Sequence, residues 1–178
     1  MSSAWLYTLF MGLTSLERLV ELVVSKRNAA WSFANGGSEF GQGHFPAMVV
    51  LHTGFLFACP LEVWLLERPF QPVLGGLMLA LALGAQGLRW WCIRTLGKQW
   101  NTRVIVVPGQ RRVEAGPYRF INHPNYVAVV IEGFALPLLH GAWLTALVFS
   151  TLNAWLLSVR LRCEEEALGA LTREEQHA

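Results

Sequence analysis

Charged residues are scarce in this chain: only 15% of its 178 residues are Asp, Glu, Lys or Arg, whereas 53% are hydrophobic. The hydrophobic residues are grouped in long runs and are not spaced as they are in the core of a water-soluble domain. An ordinary soluble domain is therefore disfavoured. The composition predicts an integral membrane protein made of helices.

Motifs typical of several other protein classes are missing. The three cysteines form no Cys-x-x-Cys pair and lie in or beside apolar runs, so we interpret Cys59, Cys92 and Cys163 as packing residues. No metal site is expected. The glycines within residues 25–44 follow no predicted strand and lack dinucleotide spacing, which favours a flexible polar loop. No DNA-reading motif is present, so nucleic acid is not an expected partner.

The apolar runs predict about five transmembrane helices. About 20 residues are needed to cross the hydrocarbon, and Pro137 followed by His140-Gly141 divides the last long run into a helical hairpin. The fourth helix would rise only roughly 21 Å, so four full spans remain an alternative. The predicted helices cover residues 4–24, 45–66, 73–93, 126–139 and 142–159, all in a single membrane domain.

The distribution of Lys and Arg predicts the orientation, because these charges are costly to translocate and stay in cytoplasmic loops. Nearly all of them follow the first, third and fifth predicted helices, and Arg68 alone falls on the opposite side. We therefore expect the N-terminus outside, with the loop 94–125 and the tail 160–178 in the cytoplasm. The basic residues on the predicted cytoplasmic side are Lys26, Arg27, Arg94, Lys98, Arg103, Arg111, Arg112, Arg119, Arg160, Arg162 and Arg173.

The loop 94–125 is the largest predicted region outside the membrane. Residues 103–107 are rich in valine and isoleucine and precede Pro108-Gly109, which predicts a short strand and a turn. We expect this loop to form a small cytoplasmic lid.

Small residues recur along the third predicted helix at three- to four-residue spacing, which predicts close packing against a neighbouring helix. They are Gly76, Ala80, Gly84 and Gly87.

Some charges fall inside predicted helices, where they are costly. Glu17, Arg18 and Glu21 either snorkel or pair with one another, or one of them lines a functional cavity. Gln86 and Arg89, near the end of the third predicted helix, likewise either lie at the membrane interface or face the functional site.

A polar segment, residues 116–126, interrupts the apolar runs, and the acidic cluster 164–166 follows the last run. Polar groups gathered at one membrane boundary indicate a functional site. His123 stands before Pro124 at the start of the fourth helix, so by itself it would be interpreted as a helix-cap residue. With aromatic residues beside it and Glu132 about two turns further on, the competing interpretation is a site for a positively charged ligand.

The acidic cluster has two interpretations as well. Glu164 and Glu165 stand at helical distances from Arg160 and Arg162, which is typical of ion pairing on a solvated helix face. Alternatively, one carboxylate binds a hydroxyl, amine or sulfonium group.

Four short motifs occur in order between residues 89 and 168: Leu96-Gly97-Lys98-Gln99-Trp100, Gly116-Pro117-Tyr118-Arg119, His123-Pro124-x-Tyr126 and Arg160-x-x-x-Glu164-Glu165-x-x-Leu168. Their order and spacing resemble the isoprenylcysteine carboxyl methyltransferase family of integral membrane enzymes. Residues 122–126, with Glu132 and Pro137, resemble in particular a bacterial branch implicated in methylating phenolic lipids and alkylpyrones.

The resemblance implies that S-adenosylmethionine binds at the cytoplasmic face without a Rossmann domain. Two departures stand out. Asn122 occupies the position where the family usually has Arg, so the contact made by that Arg is either absent or supplied by another group such as Arg119. No aromatic-rich extension follows the last motif. The residues that the resemblance assigns to the cofactor are Tyr118, His123, Pro124, Tyr126 and Glu164, with Glu165 completing the family's acidic pair.

The implied reaction is O-methylation of a carboxyl, phenol or enol on a lipid-like acceptor that enters from the membrane. We expect Arg160 and Glu165 to face the acceptor, and His123, Glu132 and Glu165 to be candidate bases where one is needed. A phospholipid N-methyltransferase is the alternative enzyme. A non-catalytic scaffold or small transporter is the alternative of another class, and the oligomeric state is left open.

Overall fold

A computed structural model of the chain describes residues 2–110 and 113–177, without the side chains of residues 168 and 170–177. Arg111, Arg112 and the side chain of Arg173, which belong to the predicted basic face, therefore lie outside the described residues, as does residue 178 of the predicted tail. Five α-helices and two short strands form in the described ranges. Their bounds are α1 Ser3–Ala34, β1 Ser38–Phe40, α2 Phe45–Leu65, α3 Pro72–Leu96, β2 Val104–Val106, α4 Pro124–Leu138 and α5 Trp143–His177.

The first helix is longer than predicted. α1 continues through Ala34, so the prediction that residues 25–44 form a flexible loop is wrong. The extension is stabilised because Ser25, Ala29 and Ser32 lie buried along one of its faces. Beyond it, β1 pairs antiparallel with β2, with Glu39 opposite Ile105. The predicted strand at 103–107 thus has its partner in residues that the sequence analysis assigned to a loop.

Three helical segments in the described ranges are long and apolar enough to cross a membrane: Phe45–Leu65, Pro72–Gln99 and Trp143–Ala167. α4 is apolar but shorter. Many large apolar side chains point away from the bundle, with Val73 88% and Val50 72% exposed, which fits a surface solvated by lipid and not by water. The described fold is therefore a predominantly helical membrane bundle. That five helices span the membrane stays a prediction.

The turn between α4 and α5 lies where the hairpin was predicted. Pro137 lies in the last turn of α4, and Gly141 has a left-handed φ of 72° that reverses the chain. The start of α5 is capped by Glu62 of α2, whose carboxylate accepts the backbone N–H groups of Leu144 and Thr145 at 3.2 and 2.7 Å. Two orphan donors of the helix N-terminus are satisfied in this way.

Helices α3, α4 and α5 approach one another at glycines, but not at those of the predicted stripe. A Cβ added to Gly133 of α4 would lie 2.8 Å from the ring of Phe149 of α5, and one added to Gly75 of α3 would lie 3.0 Å from the backbone oxygen of Leu139 at the end of α4. Gly76, Gly84 and Gly87 have open space where a Cβ would be. The prediction that the stripe packs against a neighbouring helix is therefore wrong within the described chain.

Candidate functional site

A polar cavity of about 220 Å³ lies at the end of the bundle where the two-stranded sheet, residues 97–107 and the start of α4 meet. Four of the five residues that the family resemblance assigned to the cofactor line it: Tyr118, His123, Tyr126 and Glu164. Pro124, the fifth, is buried as the first residue of α4 and sets the direction in which the helix leaves the turn. We call this space the first cavity.

The imidazole of His123 is free to line the first cavity. His123 occupies the N-cap position of α4, yet its side chain makes no cap hydrogen bond, so the imidazole does not cap the start of the helix. The ring instead stacks on that of Tyr126, with centroids 5.3 Å apart and planes within 7°. His123 therefore lies at the helix start, as the sequence predicted, while its side chain lines the first cavity.

Tyr126 connects the turn to α5. Its hydroxyl donates a hydrogen bond of 2.6 Å to Glu164 Oε2 and accepts one of 2.8 Å from Arg160 Nε. His123 Nδ1 lies 3.9 Å from the same carboxylate oxygen. The imidazole and the acidic cluster thus share one cavity, as the sequence analysis expected of a single site.

A second cavity, of about 150 Å³ and more apolar, adjoins the first inside the bundle. Met48, Val49, Thr53 and Leu157 are among its lining residues. Five residues line both cavities and form a shared wall: Trp100, Asn101, Asn125, Tyr126 and Arg160. Two ligands placed in the two cavities would therefore meet at this wall.

Arg160 is 8% exposed, which is unusual for a charged side chain. Its guanidinium lies over the ring of Tyr126 at 5.4 Å, and Nη1 contacts Met48 Sδ, a weak acceptor, at 3.8 Å. Much of its hydrogen-bonding capacity is thus still available at the shared wall. A buried cation with spare donors suits an oxygen that carries negative charge.

Tyr118 closes the first cavity from the 3₁₀ turn Gly116–Arg119. Burial raises its pKa above the ordinary value, and the neighbouring Cys92 thiol raises it further. Its phenol therefore stays neutral and can act as a hydrogen-bond donor over the whole physiological pH range. Asn122 lines the first cavity, whereas Arg119 does not and is exposed, so the expectation that Arg119 takes over the contact of the family's Arg is not supported.

Several buried polar atoms around the shared wall have no partner within the described residues. They are Trp100 Nε1, Asn101 Nδ2 and Asn125 Oδ1. Such atoms are costly in a folded protein unless a ligand or water satisfies them. The two cavities are therefore chemically suited to ligands that bring both donors and acceptors.

Glu132 lies elsewhere. It is 7% exposed and forms part of an ion-pair network that joins α1, α3 and α4. Arg18 Nη2 donates to Glu132 at 2.9 Å and Nη1 to Glu21 at 2.7 Å, while Arg89 Nε donates to Glu21 at 2.7 Å. Arg18, Glu21 and Arg89 line the second cavity, but Glu132 faces only a small adjoining hollow of about 40 Å³. Its position indicates a structural ion-pair partner and not a base at the shared wall.

Glu165 is also placed apart from the site. It is exposed and lines neither cavity, whereas its neighbour Glu164 lines the first cavity. Because consecutive residues of a helix point about 100° apart, only one of the acidic pair can face the turn before α4. The expectation that Glu165 faces the acceptor is therefore not supported by this geometry.

Four lining residues were missed or passed over by the sequence analysis. Met48 and His52 of α2 line the second cavity without any local motif to mark them. Trp100 was quoted only as the end of a motif, and Asn101 directly follows it. For Trp100 and Asn101, the available signal was their position in the loop after α3, which ends at Leu96.

Comparison with known proteins gave three relevant matches. The model of the isoprenylcysteine carboxyl methyltransferase family matches residues 78–170, just over half of the chain. An uncharacterized protein of Bacillus subtilis, YpbQ, is 37% identical over 164 residues, which cover 92% of this chain and 96% of the relative. An uncharacterized protein of Haemophilus influenzae is 26% identical over 155 residues, which cover 86% and 90%.

Proposed function

The chain belongs to the isoprenylcysteine carboxyl methyltransferase family and is thus a membrane methyltransferase in general terms, and we propose that it transfers the methyl group of S-adenosylmethionine to an oxygen of a lipid-like acceptor. The observation that carries this proposal is the shared wall. Tyr126 and Arg160, which are hydrogen-bonded to each other, line both a polar and an apolar cavity. A hydrophilic donor and a lipid-like acceptor would meet there.

The residues of the first cavity fit the proposed cofactor. Glu164 supplies a carboxylate, and the stacked rings of His123 and Tyr126 supply aromatic faces, both of which attract a cationic sulfonium. Asn125 Oδ1, buried without a partner, offers an acceptor for an amino or hydroxyl group. When bound, S-adenosylmethionine supplies a methyl group that its positively charged sulfur already activates.

The protein's main contribution is then positioning. Arg160 is held by Tyr126 at one nitrogen and has further N–H groups with which to orient an acceptor oxygen. Fixing two reactants in line can contribute roughly 7 to 11 kcal/mol to catalysis. The burial of Arg160 away from solvent strengthens the attraction between its guanidinium and an anionic oxygen.

Whether the reaction needs a catalytic base depends on the acceptor. A carboxylate is already ionised and needs orientation only, whereas a phenol or enol must lose a proton. Of the three predicted bases, His123 lines the first cavity, while Glu132 and Glu165 line neither cavity of the proposed site. Of the three, His123 is therefore our candidate base, for a hydroxyl acceptor that reaches past the shared wall into the first cavity, because His123 does not line the second cavity.

We place the reaction at the cytoplasmic face. Asn28 donates to the backbone oxygens of Gly97 and Trp100 at 3.0 and 2.7 Å, so the end of α1 lies beside the loop after α3. Lys26 and Arg27 are therefore at the same end of the bundle as Lys98. This gathering of basic residues beside the first cavity supports a cytoplasmic orientation.

Oxygen is favoured over nitrogen as the methyl acceptor. The buried guanidinium of Arg160 in the second cavity attracts an anionic oxygen, whereas an amine headgroup gains nothing from this charge. A phospholipid N-methyltransferase would have no use for that charge. A non-catalytic scaffold would have no use for the unpartnered donors of the shared wall.

Radiolabelled S-adenosylmethionine tests the proposal in membranes from cells that express the chain. We expect label in a lipid that is absent from control membranes, and calorimetric binding of S-adenosylhomocysteine to the protein purified in detergent. Mass spectrometry of the labelled lipid then identifies the methylated atom. Binding of neither cofactor form, with no labelled lipid, would refute the proposal, and an N-methylated headgroup would favour the alternative enzyme.

A further inference from the structure

Trp100 is among the most buried side chains of the site, yet its polar atom has no partner. The residue is 2% exposed, and the indole Nε1–H finds no acceptor in the described parts of the chain. A buried N–H group without an acceptor destabilises the fold. Since Trp100 lines both cavities, a ligand oxygen is a natural acceptor for this group.

Asn101 adds a second donor at the same wall. Ser25 Oγ donates to Asn101 Oδ1 at 2.7 Å, and the backbone N–H of Arg103 also points to this oxygen at 3.5 Å. Because the backbone N–H of Arg103 can only donate, the atom that it points to is the amide oxygen, and the Ser25 hydroxyl donates to the same atom. The amide nitrogen, Nδ2, is therefore on the other side of the group, where it is buried and has no acceptor among the described residues.

α1 holds the backbone of residues 100–102 and the side chain of Asn101. Ser25, 4% exposed, also accepts the backbone N–H of Thr102 at 3.0 Å, and Asn28 donates to the backbone oxygen of Trp100 at 2.7 Å. These contacts explain why α1 continues past its predicted end. They fix the Asn101 amide before any ligand arrives, and the burial of Trp100 to 2% exposure restricts its ring, so the entropic cost of binding is lower.

We propose that Trp100 Nε1–H and Asn101 Nδ2–H form a donor pair that binds the oxygen of the acceptor that is not methylated, while Arg160 orients the oxygen that is. The inference rests on the function proposed above and narrows the acceptor class. It requires a second oxygen that shares the negative charge, as in a carboxylate or an enolised 1,3-dicarbonyl group. An isolated phenol or an amine lacks this oxygen.

The carboxylate of the cofactor is the other possible occupant of the donor pair. Two observations favour the acceptor. The pair lies in the same shared wall as Arg160, where the acceptor must react, and the first cavity has a separate cation, Arg103, which does not line the second cavity. Arg103 Nη1 also donates to Glu39 at 3.3 Å, so a cofactor carboxylate would share this cation with Glu39 and leave the donor pair free.

Isosteric variants separate these assignments. Trp100→Phe removes the N–H group and keeps an aromatic ring, and Asn101→Ala removes the amide. Trp64→Phe is the matched control, because the Trp64 indole donates to Thr8 at 2.9 Å and lines none of the three cavities. Methyl transfer is measured with radiolabelled S-adenosylmethionine and increasing amounts of lipid extract from the expressing cells, and S-adenosylhomocysteine affinity is measured by calorimetry.

For both variants we expect the amount of extract at half-maximal rate to rise roughly tenfold, with S-adenosylhomocysteine affinity and the control variant unchanged. Alkali should release the label as methanol, because methyl esters and their vinylogous counterparts are hydrolysed. Unaltered dependence on the extract, weakened S-adenosylhomocysteine binding with normal acceptor use, or an alkali-stable ether would each overturn the inference. Absence of any transfer by the unsubstituted protein would instead refute the proposed function, and the inference would fall with it.

Discussion

Tyr126 and Glu164, 38 residues apart in the chain, are joined by a hydrogen bond of 2.6 Å from the phenol to the carboxylate. This contact ties the start of α4 to the part of α5 that lies beside the first cavity. Because Arg160 also donates to the same phenol, one hydroxyl holds both the carboxylate proposed for the cofactor and the cation proposed for the acceptor. The two halves of the proposed site are therefore mechanically linked.

Arg160→Ala should lower turnover with little effect on S-adenosylhomocysteine affinity. Removing a donor that stabilises developing or shared charge in a water-excluded site costs roughly 100- to 1,000-fold in rate. Radiolabel transfer and calorimetry measure the two quantities. Arg162→Ala is the matched control, since Arg162 is two residues away and exposed. Equal turnover of the two variants would show that Arg160 does not orient the acceptor.

Glu164→Gln should weaken S-adenosylhomocysteine binding by roughly tenfold, because a charge-assisted hydrogen bond contributes about 1.5 to 3 kcal/mol. Glu165→Gln should bind as the unsubstituted protein does, since Glu165 is exposed and lines neither cavity. Calorimetry on both variants decides between the two members of the acidic pair. A larger effect at Glu165 would restore the assignment made from the sequence alone.

Glu132→Gln should lower the thermal stability of the protein more than it changes cofactor binding. Breaking a buried ion pair leaves an uncompensated charge and costs about 3 to 5 kcal/mol, and Arg18 and Arg89 would both lose a partner. We expect a lower melting temperature in detergent, with S-adenosylhomocysteine affinity retained by the folded fraction. Glu67→Gln, at an exposed position, should melt normally. Loss of turnover at full thermal stability would instead favour Glu132 as a base.

Gly133→Ala should destabilise the contact between α4 and α5. The added methyl group would lie 2.8 Å from the Phe149 ring, and overpacking of this kind costs about 1 to 3 kcal/mol. Gly84→Ala, where the space is open, should be neutral or slightly stabilising because alanine favours a helix. Thermal melting in detergent compares the pair. A lower melting temperature for Gly84→Ala would indicate a neighbour that covers the outer face of α3.

Part of the fold followed directly from local sequence. Pro124 at a helix start and Gly141 between two apolar runs predicted the beginning of α4 and the turn before α5, because these residues restrict the backbone wherever they occur. The glycine stripe on α3 led to a wrong packing prediction, because packing does not depend on local sequence alone. Spacing shows which residues share a helix face, but whether that face meets a protein neighbour or lipid depends on the rest of the bundle.

The same distinction applies to the candidate site. The motif around His123 and the acidic cluster identified the family and the segments involved, and the family match bears out this resemblance. The choice of Glu164 over Glu165 at the cavity depended on the rotation of α5 against the turn before α4. A one-residue difference on a helix changes the direction of a side chain by about 100°, and no local pattern specifies that rotation.

By itself, the sequence determined that this chain is a helical membrane protein with its polar chemistry concentrated in residues 116–126 and near Glu164. Hydrophobic run length and the cost of polar groups in lipid act residue by residue, so they can be read along the chain. Only the tertiary structure decided that Trp100, Asn101 and Arg160 share a wall between two cavities, and that Glu132 belongs to an ion-pair network. Those relations join α1, α3, α4 and α5, and they arise from helix packing, which depends on every partner at once.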